Sequence, residues 1–460
     1  MPSTPAPARV PRVNIYQAPT VAAPSGTPLA AETGNDPILQ LSQRHAGFEQ
    51  FRQVVAWVVE HHPATAEAHA GEDEAMAALE EVRQARIPTV DLSMTSYRVI
   101  ARDFSDDPDN IIERSRPAQR TDAILSAQQT IFDFGATSRR IAAAGARLRA
   151  AGAELEATAD RTAINTVAAW YDVFAYRAMA TLTEAFVGSQ MNLRAAVQRR
   201  ISEGVNAEGD LARVDSYIAD TQNTLARFRR LRANAEARFT ALTGSPPPAD
   251  LQRAPSPGPA LSSSDAAILA ASEAAAVRSA QAVADASRQD ARAARSDRMP
   301  RLSVGLDAGR YGVFENNRDY DIRGSVALRY RLFGGVDPRA EQAEARARSA
   351  DARASLVREE AGRDAAIAWS DVRALEEQFR AVEAAYIASR QSRDVIVERF
   401  RVARGTLFDV VAAEDSYFES ATSYIQVLSE LDAARYVLLS RTGRLLDVLE
   451  IDPDRLRGTG

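Results

Sequence analysis

Residues 300–335 break the pattern of everything around them. Leu302, Val304 and Leu306 alternate with Ser303, Gly305 and Asp307. A turn-forming stretch with Gly312, Asn316 and Asn317 follows, and alternation then resumes. Ile322, Gly324, Val326, Leu328, Tyr330 and Leu332 take one face, and Arg323, Ser325, Ala327, Arg329 and Arg331 the other. Period two on both sides of a turn predicts a β-hairpin. A lone hairpin is marginal in water, so this one must pair with further strands. Yet the sequence running into it and out of it is rich in Ala, Arg, Glu and Leu, the composition of long helices.

The same arrangement occurs twice. Phe134-Gly135 matches Phe333-Gly334, Ala169-Trp170 matches Ala368-Trp369, and Thr243-Gly244 matches Thr442-Gly443, each at a spacing of 199 residues. Asp215-Ser216-Tyr217 and Asp415-Ser416-Tyr417 match one residue off that spacing, which places a single insertion at the first helix break. Four ordered matches mark an internal repeat. The expected organisation is an extended or disordered arm over 1–36, then a first repeat over 37–244. That repeat holds a hairpin at about 89–132 and helices at about 137–202 and 210–242. A Pro/Ser-rich linker spans 245–263. The second repeat, 264–450, holds a hairpin at about 301–333 and helices at about 337–403 and 407–441, before a tail over 451–460.

Apolar residues in the long helices step by three and four, as in Ala365, Trp369, Val372, Leu375, Phe379, Val382 and Tyr386, the seam of a coiled coil. A helix of some 65 residues is about 100 Å long, too long for a compact globule. The breaks near Gly204 and Gly405 are short, so each half is expected to turn back on itself. Trp170 and Trp369 read as packing residues of these helices.

Several classes of function find no residues. There is no cysteine, hence no disulfide or thiolate chemistry. His61, His62 and His69 lack a converging ligand set, and no metal or cofactor is expected. No nucleophile–base pair or phosphate loop occurs, so no enzyme is expected. Net charge is −6 with neither sign segregated, which argues against nucleic acid as a partner. No run reaches the length of a membrane helix. Met1-Pro2-Ser3-Thr4-Pro5 shows neither the basic region nor the apolar core of a secretory signal.

Strands of about ten residues, apolar on one face and polar on the other, are long enough to cross a bilayer at a tilt. Leu302, Val304, Leu306, Val326, Leu328, Tyr330 and Leu332 would face lipid. Arg323, Arg329 and Arg331, with Ser303, Asp307 and Ser325, would face water. Four strands cannot close a barrel, and open edges are not tolerated in lipid, so several copies are required.

With these motifs in place, the chain resembles the TolC-like outer-membrane efflux proteins over residues 37 to about 450. The resemblance rests on Arg86-Ile87-Pro88-Thr89-Val90, Arg298-Met299-Pro300-Arg301-Leu302, Leu332-Phe333-Gly334-Gly335, Gly405-Thr406-Leu407-Phe408-Asp409-Val410 and Leu438-Leu439-Ser440-Arg441-Thr442-Gly443. It implies a mainly α fold with a small membrane β-barrel: a homotrimer with twelve strands and a periplasmic α-barrel. It implies outer-membrane lipid around the barrel, and docking with a periplasmic adaptor (a membrane fusion protein) and an inner-membrane ABC or other transporter. The segments from Gly204 to Asp215 and from Gly405 to Val410 are similar to the type I secretion branch, which exports unfolded proteins. A drug-efflux role is the alternative within the family, and a soluble coiled-coil scaffold the alternative outside it. A periplasmic adaptor is disfavoured by the duplication.

The resemblance also assigns residues. Acids after the second helical turn line a periplasmic constriction in the family, and Asp409 matches the first such position, whereas Ala412 stands where a second acid is frequent. Glu208, Asp210 and Glu414 are lesser candidates for that tip. Such acids also cap helix starts, with no other role. Gly204, Gly405, Thr406 and Leu407 form the turns expected to receive the adaptor.

Overall fold

The structure, a computed structural model, describes residues 20–25, 33–103, 111–203, 208–257, 261–315, 319–334, 336–402 and 404–456. The chain divides into two compact units that cut across the repeats. Unit 1 holds 1–66, 156–274 and 360–460, and unit 2 holds 67–155 and 275–359. In chain order the elements are α1 (Gln40–Gln43), α2 (Phe48–His61), α3 (Pro63–Gln84), β1 (Thr89–Arg98), α4 (Ile111–Ser115) and β2 (Gln119–Phe132). Then come α5 (Ala136–Ser202), α6 (Glu208–Thr243), α7 (Ser264–Ala271), α8 (Ala275–Ser296), β3 (Arg301–Arg310) and β4 (Tyr320–Arg329). The long helix α9 (Val336–Arg401), α10 (Leu407–Arg441), α11 (Leu445–Val448) and α12 (Pro453–Leu456) complete the chain. The fold is mainly helical with one small sheet, as the sequence predicts. Among the described residues, no helix is long and apolar enough to cross a membrane.

Unit 2 contains the whole sheet. Its order is β1-β2-β3-β4, antiparallel throughout, so the hairpins of the two repeats join through β2 and β3. The first four residues of β2 show no apolar alternation. Gln119–Asp122 is polar, but it pairs with Thr95–Arg98 of β1. A bulge at Ile131 shifts the register between Thr130 and Phe132. Small residues let the helices of this unit approach closely: Ala143, Ala146, Ala150, Ala284, Ala293 and Ala340 are buried. Ion pairs fix their direction. Arg140–Asp297 and Arg147–Asp290 tie α5 antiparallel to α8, and Arg288–Asp351 and Arg295–Glu344 tie α8 antiparallel to α9.

Unit 1 is built on two antiparallel helix pairs. Arg194–Asp215, Arg229–Glu184 and Arg177–Glu236 step along α5 and α6 in opposite directions. Tyr386 against Tyr417 and Phe379 against Tyr424 do the same for α9 and α10. Its core is aromatic, with Phe51, Trp170, Phe239, Tyr386, Tyr424 and Tyr436 fully buried. The Pro/Ser-rich linker is bound rather than loose. The indole N–H of Trp170 donates to the Gln252 carbonyl, and that of Trp369, at the equivalent place in the second repeat, donates to the Leu261 carbonyl, both at 2.9 Å. Tyr171 and Tyr436 donate to Ala254 and Pro255. Each tryptophan therefore packs on its helix while satisfying linker backbone.

Two helical stretches are interrupted. One breaks at 44–47 between α1 and α2, and the other at 272–274 between α7 and α8. The second break lies where Gly443 approaches: a Cβ on Gly443 would stand 3.2 Å from the Ala274 Cα. The described residues 20–25 pack within unit 1. Ala22 is buried, and its N–H donates to the Tyr417 hydroxyl at 3.1 Å.

Candidate functional site: a two-faced sheet and two helical turns

Residues directly opposite in an antiparallel sheet share a face. On one face the register aligns Leu302 with Leu328, Val304 with Val326, and Leu92 with Leu125. Those side chains stand in the open: Leu92 is 75 % exposed, Val326 74 % and Leu328 69 %. Val304 and Leu125 are 36 % and 46 % exposed and Leu302 is half-buried, so no residue named here is covered, the reverse of a soluble sheet, where one apolar face is buried. Aromatic rings mark both ends of the apolar band. Tyr320 lies at one end, and Phe132, opposite Leu302, at the other, where it packs on Phe134 with ring centroids 4.7 Å apart. Interfacial aromatics flanking an apolar band are the pattern of a sheet in a bilayer.

The other face is polar. Asp91, Ser126, Asp307 and Arg323 form one row across it, and Thr89, Gln128, Gly305 and Ser325 the next. Arg323 pairs with Asp321 at 2.7 Å, and Arg120 with Asp122 at 2.6 Å. Arg329 lies opposite Arg301, and Arg331, exposed, follows the end of β4. The sheet therefore carries Arg323 and Arg329 on its polar face. Gly305 leaves room there, since a Cβ would meet the Ser325 Oγ at 2.7 Å.

The helical turns belong to unit 1. At the second, Thr406 and Asp409 form a capping box. The Thr406 backbone N–H and hydroxyl donate to the Asp409 carboxylate at 3.2 and 2.7 Å, and the Asp409 N–H donates back to the Thr406 Oγ at 3.2 Å. These bonds hold the exposed Asp409 carboxyl below its ordinary pKa, so it is charged at neutral pH. Gly405 is needed for the approach, because a Cβ would stand 3.3 Å from the Phe400 N. Glu208 and Asp210 lie in the first turn of α6, Glu208 exposed and Asp210 half-buried. Gly204 lies outside the described residues.

Two assignments are corrected. Leu407 does not present itself to a partner. It is 5 % exposed and packs with Phe400, Val410, Val197, Val214 and Ile218, because the first apolar position of α10 faces the seam between the helix pairs. The neighbouring Phe408, 62 % exposed, is the apolar side chain this turn shows. Glu414 is no open lumenal charge either. It is buried on α10, and desolvation raises its pKa against the attraction of Arg393.

Glu414 belongs to a buried charged cluster that the sequence gives no means to find. Asp36 is fully buried and accepts both from the Tyr386 hydroxyl, at 2.8 and 2.9 Å, and from Arg390 at 2.6 Å. Beside it the Arg393 guanidinium lies 4.0 Å from the Tyr417 ring centroid and pairs with Asp394. The only local sign is that Asp36 precedes Pro37 at a helix start, where it caps Ile38 and Leu39.

Known proteins share this architecture. A family model described as outer membrane efflux protein matches residues 58–245, which lie mostly in the first repeat. The chain is 22 % identical over 352 residues to the outer membrane efflux protein BepC of Brucella suis, covering 73 % of this chain and 76 % of that one. Among solved structures it is similar to the outer membrane protein VceC of Vibrio cholerae, with a TM-score of 0.76 at 17 % identity, covering 86 % of this chain and 96 % of the other. It is similar also to the CmeC outer membrane channel of Campylobacter jejuni, with a TM-score of 0.73 at 15 % identity over 95 % and 94 % of the two chains. The TolC-like resemblance read from the duplicated sequence therefore holds, and the chain has the fold of the outer-membrane efflux channels, proteins of the outer membrane that extend into the periplasm.

Proposed function

We propose that three copies of this chain form an outer-membrane channel-tunnel that exports cargo handed over by an adaptor and an inner-membrane transporter. One observation carries this: a four-stranded sheet with an exposed apolar face, a polar face and free edges at β1 and β4. Free edges in hydrocarbon leave backbone groups unpaired, and pairing β4 of one copy with β1 of the next removes them. Three copies give twelve strands, the apolar faces toward lipid and the polar faces around a lumen.

The helical turns supply the rest of the reading. Charged at neutral pH and repeated threefold, Asp409 would ring the lumen and gate it, with Glu208 and Asp210 as further acids at the tip. The turns around Gly204 and Gly405–Thr406 would receive the adaptor, and Phe408 adds an apolar contact there. Type I secretion of protein is favoured by the Gly405–Val410 segment. The similarity to BepC, an outer membrane efflux protein, favours small-molecule export as a second reading.

Heat-modifiable migration and cross-linking of protein extracted from outer-membrane fractions test the assembly. A detergent-resistant trimer in that fraction supports it; a soluble monomer or dimer sinks it. In a trimer that forms channels, Asp409→Ala should raise conductance in planar bilayers, and an unchanged conductance would remove Asp409 from the gate. Loss of a secreted protein, rather than of resistance to small toxic compounds, on deletion of the gene separates the two cargo readings.

A further inference from the structure

The charges on the polar sheet face are sorted along the strands. Toward Tyr320 they are mixed and compensated: Arg120 holds Asp122, Arg323 holds Asp321, and Asp307 lies opposite Arg323. The rows at Gly305–Ser325 and Ser303–Ala327 carry no charge on β3 and β4. At the far end Arg301 stands directly opposite Arg329. Like charges in such a pair repel, and nothing in the pairing of the strands requires them.

The acids within reach act on Arg301 and leave Arg329 uncompensated. Asp297 pairs with Arg301 at 3.0 Å but is shared with Arg140. Asp337 pairs with Arg298 at 3.0 Å. Asp133 is held by the N–H groups of Gly135 and Thr137 and by the Thr137 hydroxyl, capping α5, and its charge also attracts Arg301. Arg329 is exposed, and no acid among the described residues pairs with it. The acids of the other end are six residues away along β3 and β4, about 20 Å at about 3.3 Å per residue. That exceeds the screening length of roughly 8 Å at physiological salt, so they cannot cancel the arginines.

We propose that Arg301 and Arg329 form an anion-attracting ring at the inner end of the sheet's lumenal face and bias the channel toward anionic cargo. The proposal rests on the trimeric channel reading, which repeats the pair three times around one lumen. A low-dielectric wall around such a ring focuses its field on whatever passes, drawing in anions and repelling cations. Exported solutes or unfolded segments bearing carboxylates or phosphates would pass this level more readily than cationic ones.

The test is the reversal potential of the full-length channel in a planar bilayer under a KCl gradient. Replacing both residues, Arg301→Ser with Arg329→Ser, should lower the chloride-to-potassium permeability ratio by about two- to threefold, with a smaller drop for Arg329→Gln. Arg329→Lys, which keeps the charge, should leave the ratio near that of the unsubstituted channel. Heat-modifiable migration of each variant checks that the trimer still forms, as relief of like-charge repulsion predicts. Channels whose permeability ratio is unmoved by the double substitution, or moved equally by Arg329→Lys, overturn the ring. Absence of any channel from the unsubstituted protein overturns the trimeric reading itself.

Discussion

The sheet of unit 2 and the helical core of unit 1 use the same residue types in opposite senses. In unit 1 the leucines, valines and aromatics turn inward, and Tyr386, Tyr417 and Tyr424 are fully buried. In the sheet Leu92, Val326 and Leu328 turn outward, while serine, aspartate and arginine occupy the other face. The difference teaches which solvent each region meets. Unit 1 hides apolar surface from water, as any aqueous domain does. The sheet exposes it, which is stable only where the surroundings are themselves apolar. Charges are inverted too. Asp36, Arg393 and Asp394 are sealed inside unit 1 with partners, and Arg323 and Arg329 lie open on the sheet.

The contrast can be broken most severely inside unit 1. Asp36→Ala strips both the buried Tyr386 hydroxyl and the half-buried Arg390 of their acceptor. A loss of about 3–5 kcal/mol is expected in denaturant unfolding of the detergent-solubilised protein. A loss below about 1 kcal/mol would mean that water reaches the cluster.

On the sheet, Val326→Arg sets a charge in the outward band and should cost about 2–4 kcal/mol, seen as reduced folding into lipid vesicles. Ala327→Arg, one residue on and facing the other way, should cost less than about 1 kcal/mol by the same assay. Equal penalties would erase the two-faced reading.

A smaller effect is expected at Asp160, where α5 meets α10. Burial raises its pKa to about 6, against a hydrogen bond donated by the Ser440 hydroxyl. Its folded pKa lies above the unfolded value of 3.8, so between these pH values the folded chain holds the proton that the unfolded chain has lost. Stability therefore falls as pH rises from about 4 to about 6. Asp160→Asn, which still accepts from Ser440, should gain about 1–2 kcal/mol at pH 7 and nothing at pH 3.5. A gain of the same size at both pH values would point to packing instead of charge.

The smallest is the cap of α10. Thr406→Ala should cost about 1 kcal/mol, and Thr406→Ser much less, by thermal unfolding. The alanine variant also frees the Asp409 carboxylate, so its conductance tells whether the cap positions that charge.

Much of the molecule could be read from period and repetition. The hairpin at 301–329 follows from alternation alone, and the long helices from three-four spacing bounded by glycine and proline. What escaped was polar or solitary. Gln119–Asp122 joins β2 because Thr95–Arg98 lies beside it, and no alternation in its own residues says so. Leu407 and Phe408 are adjacent apolar residues with opposite fates, since helix phase relative to Val214 and Phe400 decides which one is covered. Glu414 looked like another acid on α10 until Arg393 and Asp394 closed around it.

The sequence by itself determined that two copies of one plan, strands apolar on one side and helices with a seam, must be satisfied together. Those properties are periodic, and backbone geometry converts period into a face. Only the tertiary structure decided that β2 of one repeat pairs with β3 of the other, and that Asp36 meets Arg390 across 354 residues of chain. It also decided that Arg301 stands opposite Arg329. Register and long-range charge pairing depend on which surfaces meet, and no local pattern in the chain carries that information.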